Sequence, residues 1–174
     1  MKTENIFSGT SVTMDALLQS RDERIMRQKA MLAGGTPCLI SLTMNIPGEI
    51  KCFPLAQKAF HAGLEEIYRY FSHQITDTII LELPTGCEAQ LAISADPADV
   101  KYTAVTIELT HPLGRLYDID ILTPEGIAIS RQELGFPPRK CLLCGKNAKL
   151  CGRSRAHTIS ELRDEVVSLL EECF

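Results

Sequence analysis

Two carboxylates set two residues apart are the first residues in this chain that could do chemistry. Asp118 and Asp120 lie in HPLGRLYDIDIL (111–122), where polar and apolar positions alternate from Leu116 onward. Period-two alternation marks a half-buried strand. It puts Leu116, Asp118 and Asp120 on one face and Tyr117, Ile119 and Ile121 on the other. Like charges on one face repel and weaken a sheet. A divalent cation such as Mg²⁺, which takes one or two carboxylates with phosphate oxygens and water, relieves that repulsion. Just ahead, Gly114 offers a flexible turn and Arg115 a guanidinium able to hold phosphate in bidentate fashion. The pattern points to a metal and phosphate centre for phosphoryl or nucleotidyl transfer. The plainer alternative is a solvated strand with two surface aspartates.

A second concentration of chemistry is RKCLLCGKNAKLCGRSR (139–155), with six Arg or Lys residues and no acidic residue. Cys141 and Cys144 form a C-x2-C pair, with Cys151 and His157 downstream. A C-x2-C turn can grip zinc, but the six-residue gap to Cys151 is not a familiar finger spacing. Structural Zn²⁺ at these four residues is possible but not favoured, and reduced thiols in a loop are the expected state. The cations are either a solvated patch or a dock for phosphates or an acidic protein. No aromatic residue is interleaved, so the segment lacks the stacking platforms that single-stranded nucleic acid needs.

The elements that must position these residues follow from periodicity. Residues 1–12 are polar and unpatterned, which predicts a flexible arm before one domain over 13–174. Thr13 caps a helix to about Ala33, with Met14, Leu18, Ile25 and Leu32 as its apolar stripe. Arg21 interrupts that stripe and Arg24 flanks it, so the helix either aims guanidinium groups at an anion or pairs them with acidic neighbours. Residues 37–46 read as a strand with Ile40, Leu42, Met44 and Ile46 on one side and Ser41, Thr43 and Asn45 on the other, a polar floor. Lys51 follows within reach. A helix opening at Pro54, strands over 78–83 and 88–94, and a helix opening at Asp96 come next. A hairpin turn over 123–126 follows the Asp118 strand, then a short turn at Ser130 and Arg131, and a last helix capped by Thr158 or Ser160. The expected fold is α+β: a single domain with a mixed sheet and helices packed on it.

Composition bounds the rest. At 174 residues the chain is long enough for one real core. Hydrophobic residues are 45%, charged residues 23%, and mean hydropathy is +0.02, as in ordinary globular proteins. A net charge of −4 argues against bulk nucleic-acid or membrane-surface binding. No apolar run approaches the roughly 20 residues needed to span a bilayer. Seven cysteines, an odd number, and an N-terminus without a basic-then-apolar signal pattern predict a reducing, cytoplasmic setting.

Taken in order, RDERIMRQ (21–28), SLTMNIPG (41–48), HPLGRLYDIDIL (111–122), ISRQELG (129–135) and RKCLLCGKNAKLCGRSRAH (139–157) resemble the citrate lyase holo-acyl-carrier-protein synthases. These are also called apo-citrate lyase phosphoribosyl-dephospho-CoA transferases. The likeness runs over nearly the whole chain, about residues 14–170. It implies 2′-(5″-triphosphoribosyl)-3′-dephospho-CoA as donor, a serine of the citrate lyase acyl-carrier (gamma) subunit as acceptor, and diphosphate as leaving group. On that reading Asp118 and Asp120 hold Mg²⁺, and Arg115 and Arg131 bind the departing diphosphate. Arg21, Arg24, Ser41, Thr43 and Asn45 contact ribose or the remaining phosphates, and His111 helps to deprotonate the serine. Lys146 and Lys149 dock the carrier, and Arg153 and Arg155 meet donor phosphates. A glycine turn before a D-x-D strand also resembles the palm-type nucleotidyltransferase sheet, although its usual Gly-Ser pair is Gly114 and Arg115 here. Two other classes compete. One is a non-catalytic zinc adaptor centred on Cys141, Cys144, Cys151 and His157. The other is a kinase, against which the missing G-x4-G-K-[ST] loop counts.

Overall fold

Strand β1 (Cys38–Met44) is the hub of the molecule, and its alternating sequence gives it two chemically different faces. The structure is a computed structural model that describes residues 6–174. The elements run α1 (Met14–Leu32), β1, α2 (Pro54–Phe71), β2 (Ile75–Leu83), β3 (Gly86–Ile93), α3 (Pro97–Thr110), β4 (Tyr117–Leu122), α4 (Ala148–Ser154) and α5 (Ile159–Cys173). The four strands form one sheet in the order β2-β3-β1-β4. Every pairing is antiparallel, so the α+β expectation holds but the sheet is not mixed. The connections explain this. α2 carries the chain from β1 out to β2, the tight β2–β3 hairpin brings it back beside β1, and α3 carries it over to β4 on the other side of β1.

One face carries the core. Ile40 and Leu42 of β1, Ala89 and Leu91 of β3, and Ile119 and Ile121 of β4 are buried against α2, α3 and α5. Helix α2 starts with Pro at its first turn, which suits a residue with no N–H to satisfy. Its Ala56, Phe60, Leu64, Ile67 and Phe71 are all buried, as their helical spacing predicts. Gly63 lets α2 approach β4 closely, because a Cβ there would come 2.8 Å from the Tyr117 ring. The flexible arm expected over 1–12 is corrected in part. Residues 1–5 lie outside the described residues, but Ile6 and Phe7 are buried, with the Phe7 ring packed at a tilt 4.6 Å from that of Phe53.

The other face is polar at its centre and is crossed by α1. Thr13 caps this helix as expected, yet Met14 and Leu18 are exposed, so only Leu32 of the predicted stripe is buried, beside the unpredicted Met31. The reason is what α1 lies on. Gln28 donates to Ser41 at 3.0 Å, and Arg24 and Arg27 both pair with Glu88 of β3, which is almost fully buried. Gln28, Arg24 and Arg27 thus dock the helix, whereas Arg21, which interrupts the stripe, stays exposed. Among the described residues no helix is long and apolar enough to cross a membrane.

Candidate active site

The register across β3, β1 and β4 sets the polar face as two rows. Gln90, Ser41 and Asp120 stand side by side in one, and Glu88, Thr43 and Asp118 in the next. Asp118 and Asp120 therefore share a face, as the alternation requires, and both retain solvent contact. Neighbouring side chains crowd Asp120, and this desolvation, followed by the Asp118 charge, raises its carboxyl above the ordinary range. Lys101, Arg24 and Arg139 oppose the rise. A pair of carboxylates under mutual repulsion, with the Thr43 hydroxyl alongside, is a donor set that fits Mg²⁺, a hard cation that prefers oxygen.

β4 is an edge strand, and charged side chains satisfy its outer backbone groups. Lys101 of α3 donates to Ile119 O at 3.1 Å, and Glu108 accepts from Ile119 N at 2.9 Å. Arg139 donates to Tyr117 O, and Ile129 N donates to Ile121 O at 2.9 Å. Edges left bare invite pairing with another chain, and here four contacts prevent it. Glu108 is the pivot. It is buried, pairs with Arg131, and lies 3.7 Å from Arg139. Burial raises its carboxyl, while Arg139, the Ile119 N–H, Arg131 and Lys101 each lower it. Sequence reading missed Lys101 and Glu108 because nothing in a helix pattern announces that a charged residue faces a strand edge.

Several expected site residues fall elsewhere. His111 ends α3 with its Nδ1 accepting from Leu113 N at 3.0 Å, and its ring packs 5.1 Å from Tyr117. Tyr117 points into the core, where it donates to Ala59 O. His111 thus lies on the face opposite Asp118 and Asp120 and is a turn residue, not a base beside them. Ser41 is buried and already bonded to Gln28, so it supports the floor without offering a free hydroxyl. Arg131 is committed to Glu108. Gly114 gives close packing, not flexibility: a Cβ would meet Ile107 O at 2.7 Å. Arg115 donates to Cys141 O, which ties the β4 turn to the basic segment.

Three clefts meet at Asn45, just past the end of β1. One, of about 300 Å³, is lined by Arg21, Arg24, Thr43 and Lys51. A second, of about 310 Å³, is lined by Arg115, Arg131 and Arg139 with Glu108. The third, of about 850 Å³, has an apolar wall of Pro47, Leu142, Ile159 and Leu162, with Arg155 on its rim. Arg153, Lys146 and Lys149 are exposed on the basic segment. Arg139, which sequence reading had only counted among six cations, sits 3.5 Å from Asp118 and joins that segment to the sheet.

The basic segment brings its cysteines together. Ligand atoms of Cys141, Cys144, Cys151 and His157 all lie within 4.8 Å of one another. The unfamiliar six-residue gap is taken up by α4, which starts at its Asn147 cap and carries Cys151 back to the pair. The Cys144 thiol is held down to about 6, first by the Lys146 backbone N–H and then by the His157 and Cys151 side chains. All seven cysteines are free thiols.

Comparison with known proteins gives the class first: the chain is a transferase. Residues 12–173 match the family model described as apo-citrate lyase phosphoribosyl-dephospho-CoA transferase, and the chain belongs to that family. Proteins of that name from Escherichia coli O1:K1 / APEC and from E. coli O7:K1 (strain IAI39 / ExPEC) are each 38% identical to it over 165 residues. One from E. coli O9:H4 (strain HS) is 37% identical over the same length. Each alignment covers 93% of this chain and 90% of the relative. The family is one of enzymes that attach a prosthetic group, and a non-catalytic zinc adaptor is not favoured.

Proposed function

We propose that this chain transfers the phosphoribosyl-dephospho-CoA group from 2′-(5″-triphosphoribosyl)-3′-dephospho-CoA to a serine of the citrate lyase acyl-carrier (gamma) subunit. The serine oxygen forms a bond to the phosphate that is attached to the ribose. The bond from that phosphate to diphosphate breaks, and the serine proton leaves. The observation that carries this reading is the meeting of three clefts at Asn45, two of them rich in guanidinium groups and the third largely apolar. A donor with a triphosphate at one end and a CoA-like arm at the other needs both kinds of surface.

Phosphoryl transfer is mostly positioning and charge neutralisation. Arg21, Arg24 and Lys51 surround the smallest cleft and favour phosphate oxygens there. Arg115 and Arg139 offer charge to the departing diphosphate, with Arg131 held beside them by Glu108. Thr43 and Asn45 lie between these groups and orient the ribose. Mg²⁺, bound by Asp118 and Asp120, would supply further neutralisation of the triphosphate. The apolar wall of the largest cleft takes the pantetheine portion, with Arg155, and Arg153 farther out, for the remaining phosphate. The reaction is assigned to the reducing cytoplasm, where seven free thiols would persist.

Mass spectrometry of the apo carrier subunit tests the proposal. After incubation with the chain, donor and Mg²⁺, the carrier should gain the mass of one phosphoribosyl-dephospho-CoA group on serine, with one diphosphate released per carrier. An unmodified carrier, or release of a nucleoside diphosphate instead, would refute it.

A further inference from the structure

We propose that Cys141, Cys144, Cys151 and His157 bind one structural zinc ion, and that this ion holds residues 139–157 as a wall of the 850 Å³ cleft. The geometry is close to that of a filled site. With Zn–S bonds of about 2.3 Å, tetrahedral ligand atoms stand roughly 3.8 Å apart. Here the Cys144 and Cys151 sulfurs are 3.5 Å apart, and no pair among the four exceeds 4.8 Å.

Local structure brings the four together at some cost. Gly145, at φ +68°, reverses the chain after Cys144, and Cys141 N donates back to Lys146 O. α4 returns Cys151 to the pair, and Arg155 then ends the helix at φ 49°, which turns His157 inward. A non-glycine residue in the left-handed region costs about 1 kcal/mol, and here the helix-ending bonds from Arg155 N to Gly152 O and from Ala156 N to Cys151 O hold the turn locally without fixing the four ligands to one another. Apolar burial is not enough. Within 139–157 only Cys141 and Cys151 are buried. The His157 Nε2 atom is buried as well, with no hydrogen-bond partner. Orphaned buried nitrogens are rare in native proteins, and a metal bond would satisfy this one.

Donor chemistry selects the ion. Three sulfurs and one imidazole suit Zn²⁺ and exclude Mg²⁺ or Ca²⁺. The three thiols release their protons as the metal binds. Three thiolates and Zn²⁺ leave a net charge of −1, which the surrounding cations of 139–155 stabilise. The site would act at a distance on the clefts. Cys141 O accepts from Arg115, Arg139 O accepts from Ala148 N, and Cys141, Cys151 and His157 themselves line the 850 Å³ cleft. This inference does not depend on which substrate the clefts take.

Metal analysis of the full chain, purified without chelator, should find one zinc per chain. Exchange with Co²⁺ should give the intense visible bands of a tetrahedral thiolate site. Cys144→Ser removes an exposed sulfur and leaves the core intact, so it should lose most of the zinc. Cys173→Ser, at an exposed cysteine outside the cluster, should keep it. Chelation should speed amide exchange across 139–157 and leave β1 to β4 unchanged. A chain that binds neither zinc nor cobalt overturns the assignment. So does a Cys144–Cys151 disulfide in the chain as isolated, or equal zinc in the two variants. If Cys144→Ser does not fold, the cobalt spectrum of the unmutated chain decides alone.

Discussion

Arg139 holds Asp118 from the side: its Nη1 lies 3.5 Å from the carboxylate, while its Nη2 donates to Tyr117 O on the same strand. The guanidinium is thus fixed to the backbone of β4 and presents charge beside the carboxylate pair. That arrangement suits a site where anions arrive and leave. It also makes the carboxylates separable from fold stability, since both side chains point away from the core.

Asp118→Asn and Asp120→Asn should each give a folded protein with turnover reduced at least about a hundredfold, as expected when metal-assisted charge neutralisation is lost. Circular dichroism checks the fold, and carrier modification at saturating Mg²⁺ checks the rate. Near-normal turnover in either variant would remove that residue from the metal site.

Glu108→Ala should destabilise the fold by about 3 kcal/mol, because it leaves the largely buried Arg131 guanidinium without a partner. It also strips the Ile119 N–H of its acceptor. Urea unfolding reads the difference. A loss below about 1 kcal/mol would mean that Arg131 is held by other contacts.

His111 gives a pH dependence whose sign can be worked out. Burial lowers its pKa in the folded chain. The native state then binds fewer protons than the unfolded state between the two values, so stability falls as pH falls through that interval. The contribution is complete above about pH 6.5 and is lost below it. His111→Gln should therefore flatten the decline in Tm between about pH 7 and about pH 5.5. An unchanged slope would show that the ring is not desolvated.

Local chemistry was legible where one pattern decided it. Thr13, Asp96 and Thr158 cap their helices as read, and the alternation at Asp118 and Asp120 places both on one face. What could not be read was which polar residue meets which. Arg21 and Arg24 look alike in sequence, yet one is exposed and the other is bonded to Glu88, 64 residues away. His111 failed for a similar reason: its two-residue distance from Leu113 is local, but the face it lands on is set by how Tyr117 packs against Gly63. The cysteine spacing did not reveal that Cys141, Cys144, Cys151 and His157 come together, because a helix of seven residues takes up the gap.

Arg21 separates donor binding from stability. Its side chain is exposed, on the rim of the cleft it shares with Arg24 and Lys51. Arg21→Met should leave Tm within about 2 °C, since exposed substitutions shift stability by about 0.5 kcal/mol or less. The KM for the donor should rise several-fold. A fall in Tm with an unchanged donor KM would return Arg21 to a structural role.

Lys146 and Lys149 test which partner the basic segment meets. Both side chains are exposed on the outer side of the cysteine cluster, and neither lines the three clefts at Asn45. If the proposed carrier presents an acidic surface, these lysines are the charges that would meet it. Exposed charges act over about 8 Å at physiological salt, and charges at the rim of an interface mainly set association rate. The double variant Lys146→Glu/Lys149→Glu should therefore raise the KM for the carrier, most strongly at low ionic strength, while the donor KM stays level. Measuring both constants at two salt concentrations decides the matter. If the carrier KM does not move, or the donor KM moves in its place, these lysines do not dock the carrier.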